Sequence, residues 1–527
     1  MCHTGQSCTG SACTCPQGQA LCGNGCTNEQ TDNDNCGVCG NFCEIGQVCA
    51  AGVCEVTCSA PLTTCGTTCS DLSTDPANCG TCADACSQGE NATPACNVGE
   101  CGFTCNAGYL QCSGTAGCET NGLTDVSNCG TCGNTCPAGG TCNSGSCEGP
   151  TLTVATGTTT IDTTASGASG AAGTTSISVG SSTGFVAQSL VFVHQTQAAT
   201  GPVGFYEFAR VASVSAGTLT LTAPLANTYV TDATDAAQVV LVPEYGAAEV
   251  GAGATLTAPP WNGTTGGILV FNASETVNVA GSVVMDGGGF RGTRHPICGT
   301  HCVGGISGES QLGLGEEGPG TVGGPANGAG GAGGSQGQDC GEGGGGGYGV
   351  AGSPGGVRTG CGNCQPPGCS ASIPDGSGGS EAGGADLADV VLFGGAGGEG
   401  GIDEDGGQAG VGGNGGGLVF IRANSIAVAA TGLISSAGTA GGNGTNAVCG
   451  GGCGMGGGGG GAGGAIRLVA TVGAAVGTSQ LVVGGAGGGV CTCGGGGDGG
   501  NGSFGRIGIL ASAGGISGTT SPAFDAE

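Results

Sequence analysis

The 527-residue chain contains no lysine and only seven arginines, against 37 acidic residues, for a formal charge of -30. Attraction to a phosphate backbone or an anionic lipid surface needs clustered positive charge, so nucleic acid is not an expected partner. Aromatic residues make up 3% of the chain and tryptophan occurs once, at Trp261, which excludes a large aromatic-packed core. No apolar run is long enough for a transmembrane helix, and membrane insertion is not expected. Residues 1–20 also lack the positive start and apolar stretch of an export signal.

What the chain has instead is 128 glycines and 37 cysteines. Three cysteine units of eight can be aligned. The first is Cys15, Cys22, Cys26, Cys36, Cys39, Cys43, Cys49 and Cys54; the second is Cys58, Cys65, Cys69, Cys79, Cys82, Cys86, Cys96 and Cys101. The third is Cys105, Cys112, Cys118, Cys129, Cys132, Cys136, Cys142 and Cys147. Cys2, Cys8 and Cys13 repeat the spacing of the last three cysteines of the first and third units, so residues 1–14 read as the tail of a further repeat. The expectation is a true N-terminus upstream, with an export signal. The alternative, a lipoprotein acylated at Cys2, is less favoured because Cys2 already fits the repeat register. Cysteine at this density points to a disulfide framework in an oxidising, extracellular or cell-surface compartment. A thiolate metal store is the rival, since pairs such as Cys36 and Cys39 have a zinc-like spacing. Spacing alone leaves about 105 pairings open in each unit.

The segments TDNDNCGVCGNFC (31–43), TDPANCGTCADAC (74–86) and TDVSNCGTCGNTC (124–136) resemble the NCGxCGxxC signature of the stigma-specific protein family. They are also similar to cysteine-rich repeats in secreted proteins of myxobacteria. The middle copy departs at Ala83 and Asp84. The resemblance covers residues 1–149 and implies an extracellular module rather than a reaction. Asn and Gly in these segments suit turns, which Asp32, Asp75 and Asp125 are placed to cap.

After residue 149 the texture changes. Strand-like runs separated by turn residues at roughly ten-residue intervals fill 150–265, the rhythm of a β-sandwich or barrel. This block resembles a module placed before glycine-rich regions in bacterial surface proteins. From 266 to 527 the segments 266–289, 416–438 and 463–488 share a Gly-Gly start and an apolar strand, and 504–515 is a broken fourth copy. None can bury its apolar face alone, so a stacked β-solenoid is expected. The glycine tracts between them resemble those of the anaplastic lymphoma kinase receptor and of phage tail adhesins. Flexible loops and ordered polyglycine II bundles stay as alternatives. The expected fold class is thus all-β: disulfide-rich small repeats (1–149), a β-sandwich-like connector (150–265) and a glycine-rich β-solenoid with polyglycine II segments as one form of its loops (266–527).

Candidate chemistry is sparse. His295, Cys298, His301 and Cys302 offer four zinc-type ligands, although their spacing matches no finger pattern. A disulfide-pinned loop is the preferred reading there, and neither metal nor cofactor is expected. Ten cysteines in the second half suffice for five staples across glycine loops. Asp403, Glu404 and Asp405 lack the pattern of a calcium nonapeptide, and matches to GxGxxG follow from composition alone. Arg422, Arg467 and Arg506 sit on the repeated strands, where they could line one face. No paired carboxylates and no aromatic platform are evident. The expected function is a secreted or cell-surface structural or adhesive protein without catalytic activity, partnered by cell-surface or matrix polysaccharide or protein. The alternative is a polysaccharide-binding or polysaccharide-degrading β-helix protein.

Overall fold

The computed structural model describes residues 6–9, 12–113, 117–136, 139–161, 163–293, 305–316, 328–334, 342–356, 376–383, 387–401, 408–444, 456–476, 499–511, 516–517, 520 and 525–526. Every regular element among them is a strand, as an all-β class requires. The chain divides into two units, residues 1–136 with 142–147, and residues 137–141 with 148–527.

In the first unit sulfur takes the place of a hydrophobic core. All three repeats use one pairing scheme, first cysteine with third, second with fifth, fourth with seventh and sixth with eighth. The first repeat joins Cys15–Cys26, Cys22–Cys39, Cys36–Cys49 and Cys43–Cys54. The second joins Cys58–Cys69, Cys65–Cys82, Cys79–Cys96 and Cys86–Cys101. The third joins Cys105–Cys118, Cys112–Cys132, Cys129–Cys142 and Cys136–Cys147. Short antiparallel hairpins, such as Gln47–Ala50 with Val53–Val56, hold the cysteines in place. The buried apolar cluster of the second repeat is Cys79, Cys86 and Cys96.

The NCG turns explain the signature. Asp32, Asp75 and Asp125 accept the amide two residues on, and the following asparagine accepts the amide of residue 40, 83 or 133. Those amides belong to Gly40 and Gly133 at φ of 79° and 77°, and to Ala83 at 66°. Ala83 therefore occupies a left-handed site at a steric cost that its glycine counterparts avoid.

The second unit is built on a three-sided parallel β-helix. One face stacks Glu244–Tyr245, Ile268–Ala273, the start of Leu418–Val428, the start of Ala465–Val476, Arg506–Ala511 and Asp525–Ala526. A second stacks Leu152–Val154, Ala248–Val250, Thr276–Val279, the ends of those two long strands and Ile516–Ser517. The third stacks Thr158–Thr160, Thr255–Thr257, Ser282–Val284 and Leu433–Ser435. The register slips between Ala423 and Ser425, where the long strands pass from the first face to the second.

Alternation along these strands decides what goes inside. Leu269, Val419, Ile466 and Ile507 stack in register, as do Phe271, Ile421, Leu468 and Ile509, and all eight lie in the apolar bore. Burying each such side chain contributes about 1.5–3 kcal/mol. Residues 418, 420 and 422 point the other way, out of the bore.

The expected connector over 150–265, read as a sandwich or barrel, contains a closed barrel flanked by strands of the β-helix. Ala165–Ser169, Ser176–Val179, Thr218–Leu221, Tyr206–Ser215, Leu190–Gln197 and Ala236–Leu241 close, in that order, into an antiparallel barrel. The strands before and after it belong to the helix, so the barrel is an insertion between rungs. Alternation in TLTVAT fits either kind of strand, and only the long-range parallel pairing of Leu152–Val154 with Ala248–Val250 separates them.

The described glycine tracts are ordered. Gly343 and Gly346 donate to Gly457 and Gly460, whereas Gly344 and Gly347 donate to Ala332 and Ala329. Gly410, Gly413 and Gly416 donate in turn to Gly456, Gly459 and Ala462. Residues three apart address the same neighbour and adjacent residues address different ones, the lateral bonding of a three-residue-per-turn polyglycine II bundle. A Cβ on Gly459 would collide with the Gly344 carbonyl oxygen, and one on Gly395 with that of Ala329.

Candidate functional site

Five arginines fall in the described residues, and four of them converge on the seam between the barrel and the first face of the helix. The geometry follows from strand register. Asn272, Arg422 and Val469 occupy one column across successive rungs, Phe420 and Arg467 the next, Leu418, Ala465 and Arg506 the third. Arg422, Arg467 and Arg506 thus descend diagonally, one rung and two residues per step, about 8 Å between Cα atoms. All three point away from the bore.

The barrel supplies the opposite wall. In the Tyr206–Ser215 strand, alternation puts Tyr206, Phe208 and Arg210 on one side. Phe208 and Tyr206 meet Phe420 edge-to-face at 5.2 and 5.4 Å. The Arg422 guanidinium lies 4.7 Å from the Phe208 ring centroid, that of Arg467 6.0 Å from Phe420, and that of Arg506 5.7 Å from Tyr348. Guanidinium planes stack on aromatic faces while keeping their edge N–H groups for other partners.

Two of the arginines already hold carboxylates. Arg210 grips Glu244 in a fork at 2.6 and 2.9 Å, and Glu244 stands beside Asn272 in the adjoining rung. Arg506 pairs with Glu381 at 2.8 Å, and that glutamate is 60% exposed. Arg422 is partly exposed and forms no ion pair among the described residues. Next to it, the buried Asn272 Oδ1 accepts no hydrogen bond among the described residues. The seam therefore combines guanidinium groups, an amide and ring faces, of which Phe420, Tyr348 and Arg467 are buried and Tyr206, Phe208, Arg210 and Arg422 are partly exposed.

Beneath the seam the packing is rigid. His194 is fully buried, with Nδ1 at 2.9 Å from Thr196 Oγ1 and Nε2 at 2.9 Å from the Val391 carbonyl oxygen. Burial pushes its pKa down to about 4, so the ring is neutral near pH 7. The Tyr348 hydroxyl is pushed up to about 12 by burial and accepts a hydrogen bond from the Leu392 amide.

Arg422, Arg467 and Arg506 thus fall on one side of the strands, Arg467 buried there, and Tyr206 and Phe208 place partly exposed rings beside Arg422 that the sequence reading did not point to. The alternation in FYEFAR was the available signal for these two rings. His295, Cys298, His301 and Cys302 lie outside the described residues, as do Asp403, Glu404 and Asp405 and the cysteines at 340, 361, 364, 369, 449, 453, 491 and 493. Among the described residues, three sulfur triads are close enough to share a metal, including Cys36, Cys43 and Cys54. Their sulfurs are all in disulfides, which leaves no thiolate to bind zinc. No helix among the described residues is long and apolar enough to cross a membrane.

No family model and no curated protein matches the chain. Two solved structures are similar to it. The tailspike protein gp49 from Pseudomonas phage LKA1 is 15% identical over 24% of this chain and 26% of that one, with a TM-score of 0.14. The Gp54 tailspike of Acinetobacter baumannii bacteriophage AP22, in complex with A. baumannii capsular saccharide, is 11% identical over 69% of this chain and 57% of that one, with a TM-score of 0.14. The chain thus spans about a quarter of the first tailspike and just over half of the second. The expectation of a protein without catalytic activity is corrected at this point: both similar structures are tailspikes, one of them holding a saccharide, and the non-catalytic reading is withdrawn.

Proposed function

We propose that the chain is an extracellular or cell-surface protein that binds polysaccharide along the seam between its barrel and its β-helix. The observation that carries this reading is the stacking of the partly exposed Arg422 guanidinium on the partly exposed Phe208 ring, with Tyr206 and Arg210 on the same side of that barrel strand. Sugars present hydroxyls at their edges and C–H faces to aromatic rings, and such a seam offers partners for both. The cystine repeats support the extracellular placement, since reduced compartments do not sustain so many disulfides. Their NCGxCGxxC signature, similar to that of secreted modules, supports it too. A stapled repeat segment carried in the same chain as a repetitive β-helix suits multivalent attachment to a polymer.

The test is affinity electrophoresis of the whole oxidised chain in gels containing neutral and acidic polysaccharides, with reducing-end release measured in parallel. Retardation by at least one polymer is expected, weakened by substitution of Arg422. Unchanged mobility in every gel would overturn the proposal.

A further inference from the structure

We propose that the seam selects glycans bearing carboxylates, such as uronic-acid polymers, with Arg422 and Arg506 as contact residues; this rests on the polysaccharide-binding reading above. The chain's overall charge opposes such a ligand, so what matters is how positive charge is placed. Of the five described arginines, only Arg291 lies away from the seam, closed on the buried Glu309. Among the described residues, four of the five arginines thus stand along one side of the seam's strands in a strongly acidic chain.

The seam also shows the ligand chemistry it takes. Arg210 receives the Glu244 carboxylate in a two-pronged fork, the geometry by which guanidinium recognises carboxylate. At Arg506 the same role is played by Glu381, whose side chain is 60% exposed and comes from a different part of the chain. The Arg506 side chain is 11% exposed and reaches solvent only at the end that meets Glu381, so an incoming carboxylate takes the place of the exposed Glu381 side chain at that end. Arg422 needs no displacement, because its guanidinium is stacked on Phe208 and forms no ion pair among the described residues. Arg422 and Arg506 lie two diagonal steps apart, about 16 Å by strand and rung spacing. A polymer with regularly placed carboxylates can engage both, whereas a single acidic sugar reaches one. Glu381 then acts as an internal competitor that tempers affinity.

The inference is tested by affinity electrophoresis of the whole oxidised chain in polygalacturonate, in carboxyl-reduced polygalacturonate and in dextran. Retardation is expected in polygalacturonate alone, falling as salt is raised. Arg422→Ala is expected to weaken it by at least about 5-fold, equivalent to roughly 1 kcal/mol. Glu381→Gln is expected to strengthen it about 2- to 5-fold by removing the competing carboxylate. Glu381 is exposed and its substitution leaves the fold intact, so this arm holds even if Arg422→Ala proves unstable. Equal retardation by the carboxyl-reduced polymer would leave polysaccharide binding standing and overturn the selectivity. Weaker binding by Glu381→Gln would overturn the assignment of Arg506. Retardation by none of the three polymers would overturn both proposals.

Discussion

Arg291 and Glu309 form a two-pronged ion pair, Nε to Oε2 at 2.9 Å and Nη2 to Oε1 at 3.1 Å, with the carboxylate almost fully buried. Trp261 Nε1 and Gln197 Nε2 donate to the same Oε1 at 3.1 and 3.2 Å, so one carboxylate ties helix turn, barrel and glycine bundle together. Glu309→Ala should lower stability by about 3–5 kcal/mol, because it strands an arginine, an indole and an amide. Glu309→Gln should cost less. Calorimetry of the oxidised chain checks the order, and an Ala variant as stable as the parent would contradict it.

His194 predicts an acid limb in stability. Its pKa is lowered from 6.5 unfolded to about 4 folded, so the unfolded chain takes up the proton first as pH falls. The contribution is fully present above pH 6.5 and is lost as pH drops toward 4, by about 3 kcal/mol. Carboxylates titrate in part of the same range, so the comparison is with His194→Gln. Its stability should fall less steeply between pH 6.5 and 4; parallel denaturation profiles would count against the assignment.

Gly459→Ala tests the polyglycine bundle. The new methyl group would meet the Gly344 carbonyl oxygen, and backbone on both sides leaves nothing flexible to yield. A loss of at least about 1–3 kcal/mol is expected, the usual cost of overpacking. Hydrogen exchange should show slow amides over 456–464, and fast exchange there would argue for loose loops instead.

Ala83→Gly should act in the opposite direction. It relieves a left-handed alanine at φ 66°, whereas Gly40→Ala imposes the same strain on the first repeat. The gain and loss are each expected at about 0.5–1 kcal/mol, read from thermal melting of the oxidised chain. Equal stability of all three proteins would show that the turn does not need the conformation.

Periodicity made much of this architecture legible. The recurrence of apolar strands after Gly-Gly located Ile268–Ala273, Leu418–Val428 and Ala465–Val476, and a broken copy located Arg506–Ala511; the four do stack in parallel. It also put Arg422, Arg467 and Arg506 on those strands. What the sequence concealed was non-local. Nothing in TLTVAT announces a partner near residue 248, and a barrel inserted between rungs has the same turn rhythm as a free-standing one. The half of the seam formed by Tyr206, Phe208 and Arg210 was hidden for the same reason, since which side of a strand faces a neighbour depends on register. Within the repeats, spacing fixed the units but could not choose among pairings.

The pairing scheme of those repeats has a last consequence. Each bridge overlaps the next, so every peptide bond from the first to the eighth cysteine of a unit is spanned by at least one sulfur link. A cut inside a repeat therefore releases nothing. Among the described residues no bridge crosses the short joints Glu55–Thr57 and Gly102–Thr104, and there one scission parts the three repeats. The segment behaves like a string of closed links that survives internal nicking and fails at its couplings.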